Sequence, residues 1–144
     1  MAPTCFPKIS NNHRRGIEST LVLLDEMLCT FERSLKGGTS KGPLFEERDD
    51  LTEENKQAIF SEISVTRSII EHLRNALGLR PRVESLARVI GTRSSSFWVS
   101  LVELESRHLR KYGKVPTDFA AHFDPYVKDL IEHMDAISKI TKHA

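Results

Sequence analysis

The sequence is poor in cysteine and has no long apolar run. Its two cysteines, Cys5 and Cys29, are too few for a disulfide framework, which favours a reducing compartment, and neither belongs to a CxxC pair. The longest mostly apolar stretch, residues 21–24, is far shorter than a membrane span, and the proline-containing start lacks the apolar run of a signal peptide. These absences predict a cytoplasmic protein that does not enter a membrane.

Neither sign of charge dominates the chain. It carries 21 Lys and Arg against 20 Asp and Glu, a formal net charge of +1, so no strong field draws it to nucleic acid or to a membrane surface. A length of 144 residues favours one domain and excludes an enzyme with separate cofactor and substrate domains. No glycine-rich loop follows a strand pattern, and the serines at 94–96 lack a G-x-S-x-G context, so no reaction is indicated.

Glycine and proline occur at few positions and separate four long stretches with helical periodicity. The stretches cover about residues 15–36, 52–77, 82–112 and 116–142. Thr52 suits an N-cap, and Gly78 is a typical helix stop. Because strand patterns are poor and two of the links are short, the sequence predicts an all-α fold. We expect an antiparallel up-down four-helix bundle over residues 15–142, preceded by an irregular leader, residues 1–14.

Two segments leave the course of the helices open. The run from Gly91 to Ser96 is a poor helix interior, so the third helix is either continuous or kinked or broken there. Pro125 lies within the fourth stretch, which therefore begins near Asp124 or bends at the proline.

Four residues predict a polar cluster in the middle of the bundle. Glu62 and Thr66 fall on the apolar stripe of the second helix, and antiparallel pairing would set them level with Trp98 and Ser94 of the third. Hydroxyl groups bonded to a carbonyl one turn back and an indole N–H bonded to a carboxylate would satisfy this cluster structurally. The alternative is a small polar pocket that accepts a ligand.

The spacing of Glu105 and His108 is E-x-x-H, the carboxylate-plus-imidazole element of di-iron helical bundles. Pairing through the link near residue 113 would bring His122 to the same level. A di-iron site needs a second such motif, which the sequence lacks, so the prediction is limited to one divalent metal ion held by these three residues. The structural alternative pairs Glu105 with a nearby cation.

Residues 86–102 resemble the layout of a helix-turn-helix in a loose way. A small residue, a glycine and a run of hydroxyl residues follow one another, and four arginines that could contact phosphates lie nearby, at 80, 82, 88 and 93. The second helix would, however, point Phe97 and Trp98 at a groove that is read by polar side chains. DNA binding is therefore the least favoured of the alternatives.

Three apolar residues oppose the core stripes of their helices: Val22, Phe60 and Val99. Several such residues predict a partner surface, and a homodimer needs only one self-complementary surface. The sequence thus favours a non-enzymatic helical protein that acts through protein–protein interaction or self-association. A bundle that binds a metal or a small ligand is the first alternative, and a DNA-binding regulator is the second.

Overall fold

The chain forms five α-helices in a computed structural model that describes residues 6–143. Their bounds are α1 Asn11–Leu35, α2 Glu53–Leu77, α3 Leu86–Val102, α4 Ser106–Leu109 and α5 Thr117–Lys142, with one 3₁₀ turn at Arg110–Tyr112. The all-α prediction is confirmed. The count of four helices is not, because the third predicted helix is divided. Cys5 and the first residues of the predicted leader lie outside the described residues.

The helices belong to two compact units. The first extends to Arg82 and contains α1 and α2, and the second begins at Val83 and contains α3, α4 and α5. The single four-helix domain of the sequence analysis stays a prediction.

Local signals in the sequence determine where α1 and α2 begin and end. The Ser10 hydroxyl accepts a hydrogen bond from the N–H of His13 at 3.1 Å, so α1 begins at Asn11, four residues before the predicted start near Arg15. Thr52 caps α2 in the same way, and Gly78 ends α2 in the left-handed conformation at φ 64°. Both predictions for α2 are confirmed.

In the first unit, α1 and α2 contact each other through a small apolar centre and one ion pair. Leu28 and Ile63 are the buried apolar residues among those described in this unit. Beside them, the Arg67 guanidinium pairs with the Glu32 carboxylate, which also accepts a hydrogen bond from Lys36 at 2.9 Å. Such a small centre leaves much of both helices in contact with solvent.

The link between α1 and α2 is ordered by its own short-range contacts. The N–H of Gly42 donates to the carbonyl of Phe45 at 2.7 Å, closing a tight turn. At the end of the link, the Lys56 ammonium lies 2.5 Å from the Asp49 carboxylate. The hydrogen bond in this contact, with the attraction of the opposite charges added to it, lowers the pKa of Asp49 and raises the pKa of Lys56, because it favours the ionised form of both groups.

In the second unit, α3 is continuous across the segment from Gly91 to Ser96, where the sequence left a kink or a break open. Gly91 is part of a close helix contact, because a Cβ atom there would lie 2.5 Å from the Thr141 hydroxyl oxygen of α5. The poor helix propensity of this segment is therefore outweighed by tertiary packing against α5. The turn that a helix-turn-helix at residues 86–102 requires is helical here.

The third predicted helix, which was expected to extend to Tyr112, ends at Val102. The N–H groups of Leu104 and Glu105 bond to carbonyls only three residues back, which closes the helix with tight turns. The next N–H, that of Ser106, donates to the Asp124 carboxylate of α5 at 2.9 Å and opens α4. A side chain from a distant part of the sequence thus interrupts the helix that periodicity predicts.

The last helix begins at Thr117 and continues through Pro125. Of the two predicted alternatives, a start near Asp124 is wrong. Pro125 lacks an N–H, so the carbonyl one turn earlier receives no backbone donor from it, and α5 nevertheless continues through this position while it packs against α3. Among residues 6–143, no helix combines the length and apolar character needed to cross a membrane.

Candidate interaction face

The helices α3 and α5 lie antiparallel and very close together. The hydroxyl oxygens of Ser95 and Ser138 are 2.8 Å apart and share a hydrogen bond, and Gly91, one turn earlier on α3, meets Thr141, later on α5. Ser138 is buried. Because small residues occupy the line of contact, the backbones approach closely, and larger side chains cannot fit between them.

Large apolar side chains are therefore displaced to one side of the pair. At 100° per residue, the large apolar residues of α3 lie on the side of that helix opposite Ser95. The large apolar residues of α5 lie on the side of that helix away from Lys142. On one side of the helix pair, α3 and α5 together line a polar groove that includes Arg88, Thr92 and Lys142. The large apolar residues of both helices therefore lie on the opposite side of the pair. We call this side the α3–α5 face, and its residues are Leu86, Ile90, Phe97, Phe119, Tyr126, Leu130, Ile137 and Ile140.

Every residue of the α3–α5 face exposes a large part of its surface to solvent. The exposed fractions range from 36% for Ile137 to 73% for Leu86. By contrast, Leu101 and Val127 are the only buried apolar residues among those described in this unit. The unit therefore has more large apolar side chains outside its core than inside it.

Charge is segregated away from this face. On α5, no Asp, Glu, Lys or Arg falls within the arc of about 120° that carries its apolar residues. By the same count, His133 falls within the arc, between Ile140 and Tyr126, and His122 lies at its edge beside Ile140. Asp129 lies just outside that edge, and Arg93 of α3 lies at the opposite border. Phe119 and Phe123 stack with ring centroids 4.9 Å apart, which holds the first turns of the arc in a defined geometry.

The α4 segment is attached to α5 by a carboxylate. Asp124 accepts two hydrogen bonds from Ser106, one from its N–H at 2.9 Å and one from its hydroxyl at 2.6 Å. Ser106 is buried. The hydroxyl bond, with the N–H bond second, lowers the pKa of Asp124 because both donors favour the ionised carboxylate.

The three residues predicted to bind a metal ion do not form a ligand cluster. Glu105 lies before α4 and pairs with Arg107 at 3.3 Å, and the Nδ1 atom of His122 donates to the Asp118 carbonyl at 2.8 Å. The Nε2 atom of His108 is buried and has no hydrogen-bond partner. In the described part of the chain, no three His, Cys, Asp or Glu side chains are placed to hold a metal ion.

The residues of the predicted polar cluster belong to different units. Glu62 and Thr66 lie on α2, where Glu62 is exposed and the Thr66 hydroxyl donates to the Glu62 carbonyl at 2.8 Å. That bond to the preceding turn is the structural alternative expected for a hydroxyl in a helix. On α3, Ser94 is half-buried and Trp98 is exposed over 49% of its surface. The pairing of these two sets stays a prediction.

The predicted partner surface is only partly exposed. Val22 and Phe60 are half-buried in the first unit, whereas Val99 of α3 is exposed. Val99 lies on the groove side of α3, away from the α3–α5 face. The predicted partner surface does not include the α3–α5 face, because the predicted bundle places most of that face on the core stripes of its third and fourth helices: Leu86, Ile90, Phe97, Phe119, Leu130 and Ile137.

A second charged site joins α1 and α2 in the first unit. The Glu32 carboxylate contacts both Lys36 and Arg67, and these two contacts, with Lys36 the larger, lower the pKa of Glu32. The same ion pair raises the pKa of Arg67. The Cys29 sulfur, an exposed thiol, lies 3.7 Å from Nη2 of this guanidinium. Since Glu32 already occupies the guanidinium, this cluster has a structural role in connecting the helices.

Comparison of the chain with protein-family models, with curated proteins and with solved structures gave no match.

Proposed function

We propose that this chain is a non-enzymatic cytoplasmic protein that works by binding protein through an apolar helix face. The observation that carries the proposal is the α3–α5 face, which is large, uncharged and exposed. Taking about 200 Å² for a fully exposed side chain of this size, the face presents on the order of 800 Å². The largest apolar patch on a typical monomer is about 300–600 Å², and larger ones mark interaction sites.

The face also has the composition of an interface centre. Aromatic residues are enriched at such centres and charged residues are depleted, and the face contains Phe97, Phe119 and Tyr126 with charges only at its borders. Binding would proceed by docking of a helix face, in which these side chains become buried against the partner. The antiparallel four-helix bundle of the sequence prediction stays an alternative proposal, in which the first unit, and not a partner, would cover this face.

Tyrosine accessibility tests this proposal. The chain has two tyrosines, Tyr126 within the face and Tyr112 outside it, both largely exposed. We expect hydroxyl-radical footprinting in cells that express the protein to show Tyr126 protected relative to dilute purified protein, with Tyr112 modified equally in both. Equal modification of Tyr126 in both conditions, with the purified protein shown to be monomeric at that dilution, would contradict a docking role for the face.

A divalent metal site at Glu105, His108 and His122 stays the alternative. One observation favours it, the buried Nε2 atom of His108 without a partner. The separation of the three side chains counts against it, since Glu105 and His122 are engaged elsewhere. Metal analysis of the purified protein decides between the two functions.

A further inference from the structure

The break between α3 and α4 is not required for the chain to connect to α5. Because Ser95 is level with Ser138 in the antiparallel pair, a continuous α3 would bring Tyr112 level with residue 121 of α5. The link 113–116 would then rise about 6 Å along the axis and cross about 8–10 Å between the helices. Four residues of extended chain span that distance. The connection to α5 thus permits a helix that continues to Tyr112.

The sequence of the interrupted segment keeps the pattern of α3. At 100° per residue, a continued helix would place Leu104 and His108 on the side of α3 that carries Phe97. It would place Ser106 on the side of Ser95, toward α5. Both sides of α3 therefore continue through the break as they would in one uninterrupted helix.

Two polar contacts belong to the interrupted form. The Ser106 N–H donates to the Asp124 carboxylate at 2.9 Å, whereas in a continuous helix it would donate to the Val102 carbonyl. The Lys111 ammonium lies 2.7 Å from the carboxylate of Glu103, eight residues earlier, which corresponds to about 12 Å along a continuous helix. Ion-paired neighbours on a helix are three or four residues apart, so continuation would break this ion pair.

The interrupted form also carries costs. The N–H groups of Leu104 and Glu105 donate to carbonyls three residues back, a poorer hydrogen-bond geometry than that of an α-helix. The backbone of Glu105 is extended, at ψ 141°, and its side chain gives α4 no cap. The buried Nε2 atom of His108 has no hydrogen-bond partner, which also lowers stability. Few interactions therefore separate the interrupted arrangement from a continuous one.

We infer that residues 103–112 are a conformational switch with two forms. When the Asp124 carboxylate binds Ser106 the helix is interrupted, and when that carboxylate is withdrawn α3 continues as one helix to Tyr112. The change lengthens α3 by about 15 Å and brings Leu104 to the α3–α5 face. The contacts that decide between the forms all lie within the second unit, so the inference does not depend on the proposed function or on what lies against that face.

Heteronuclear NMR of the full chain tests the inference at Glu105, whose backbone is extended when the helix is interrupted and helical when it continues. The chemical shift of its Cα carbon lies on opposite sides of the random-coil value in these two conformations. We expect Asp124→Ala to move this shift from the extended side to the helical side. Glu132→Ala removes an exposed carboxylate elsewhere on α5 and should leave the shift as it is in the wild type.

A cap supplied from the local sequence should restore the interruption. Glu105→Asp keeps the charge and gives α4 the N-cap side chain that it lacks. In the protein that carries both Asp124→Ala and Glu105→Asp, the shift at residue 105 should return to the extended side. The continuous form lacks both polar contacts of the interrupted form, so Asp124→Ala alone should remain less stable than the wild type.

Asp124→Asn guards against a variant that does not fold. It keeps one acceptor oxygen, so it should move the Glu105 shift in the helical direction by less than Asp124→Ala does. If Asp124→Ala does not fold, Asp124→Asn decides by the same signal.

Three results would overturn the inference. An extended Glu105 in a folded Asp124→Ala protein would mean that the break does not need the carboxylate. Random-coil shifts throughout residues 103–112 would mean that the released segment unfolds instead of continuing the helix. A helical residue 105 in the double variant would mean that capping does not decide between the two forms.

Discussion

Asp124, on the last helix, holds the start of α4 through Ser106, eighteen residues earlier in the chain. The carboxylate accepts from the Ser106 N–H at 2.9 Å and from its hydroxyl at 2.6 Å. It acts as an N-cap contributed by another helix, since α4 receives no cap from its own preceding residue, Glu105. This one contact interrupts the long helix that the sequence predicts and redirects the chain toward α5.

Removal of this carboxylate should destabilise the second unit. Asp124→Ala leaves the buried Ser106 N–H and hydroxyl without an acceptor, so we expect Tm to fall by several degrees. Asp124→Asn keeps an acceptor oxygen, so its Tm should fall less than that of Asp124→Ala. Differential scanning calorimetry measures the Tm of the wild type and of both variants. An Asp124→Ala protein with the Tm of the wild type would show that the cap contributes nothing to stability.

The same contact predicts a pH dependence. Its hydrogen bonds lower the pKa of Asp124 in the folded state, so the ionised carboxylate stabilises the fold at neutral pH. That contribution is lost as the pH falls below about 4 and through the lowered folded pKa, where the carboxylate becomes protonated. The Tm difference between the wild type and Asp124→Asn should therefore be constant near neutrality and shrink in acid. A Tm difference between the wild type and Asp124→Asn that grows as the pH falls would contradict this prediction.

Gly91 should resist substitution because of its neighbour on α5. A Cβ atom at this position would lie 2.5 Å from the Thr141 hydroxyl oxygen, which is held by its hydrogen bond to the Ser138 carbonyl at 2.7 Å. Overpacking of this kind costs about 1–3 kcal/mol, more than the gain of about 0.5–1 kcal/mol from replacing a helical glycine by alanine. We expect Gly91→Ala to lower the free energy of unfolding, as measured by urea denaturation.

A double-mutant cycle separates the two effects. Thr141→Ala removes the clashing oxygen, so Gly91→Ala in that background should stabilise the protein through helix propensity alone. Gly91→Ala that destabilises both backgrounds equally would mean that the contact with Thr141 is not the cause.

The ion pair between Glu32 and Arg67 should contribute a small, salt-dependent stability to the first unit. Both side chains are accessible to solvent, so Glu32→Gln should lower Tm slightly at low ionic strength and less at high ionic strength. Glu26→Gln, an exposed change on the same helix, is the control and should have no comparable effect. A salt-independent loss in Glu32→Gln would indicate that lost packing, rather than lost charge, is responsible.

Replacement of His108 tests whether this residue has a structural role or binds a metal ion. Its Nε2 atom is buried without a hydrogen-bond partner, so His108→Leu should leave stability unchanged or raise it. If the side chain instead binds a divalent metal, the wild type should contain stoichiometric metal and lose thermal stability with a chelator, and His108→Leu should lose both properties. Thermal melts with and without chelator, together with metal analysis, separate these results.

The two residues that flank α2 show which features of the fold could be predicted from the sequence. Thr52 and Gly78 act on backbone groups within three or four residues of themselves, so the start and stop of α2 follow from the local sequence. The helical class follows equally, because the apolar spacing and the scarcity of strand signals are properties of short windows. These interactions require no knowledge of the rest of the chain.

The interaction between Asp124 and Ser106 shows what could not be predicted. Periodicity favoured a helix to Tyr112, and only the approach of α5 decided that it ends at Val102. The close contact of Ser95 with Ser138 likewise reversed the expected roles of small and large residues. A helical wheel gives the angle of a side chain about its own axis but not the side from which a neighbour approaches.

The sequence by itself thus determined an all-α chain, the caps of α2 and the charge-free arc along α5, since each depends on residues that are close in sequence. Tertiary structure alone decided the division into α3 and α4 and the continuity of α3 through Gly91. The physical reason is the range of the interactions. Capping and helix propensity act within one turn, whereas packing joins groups that the chain separates by tens of residues.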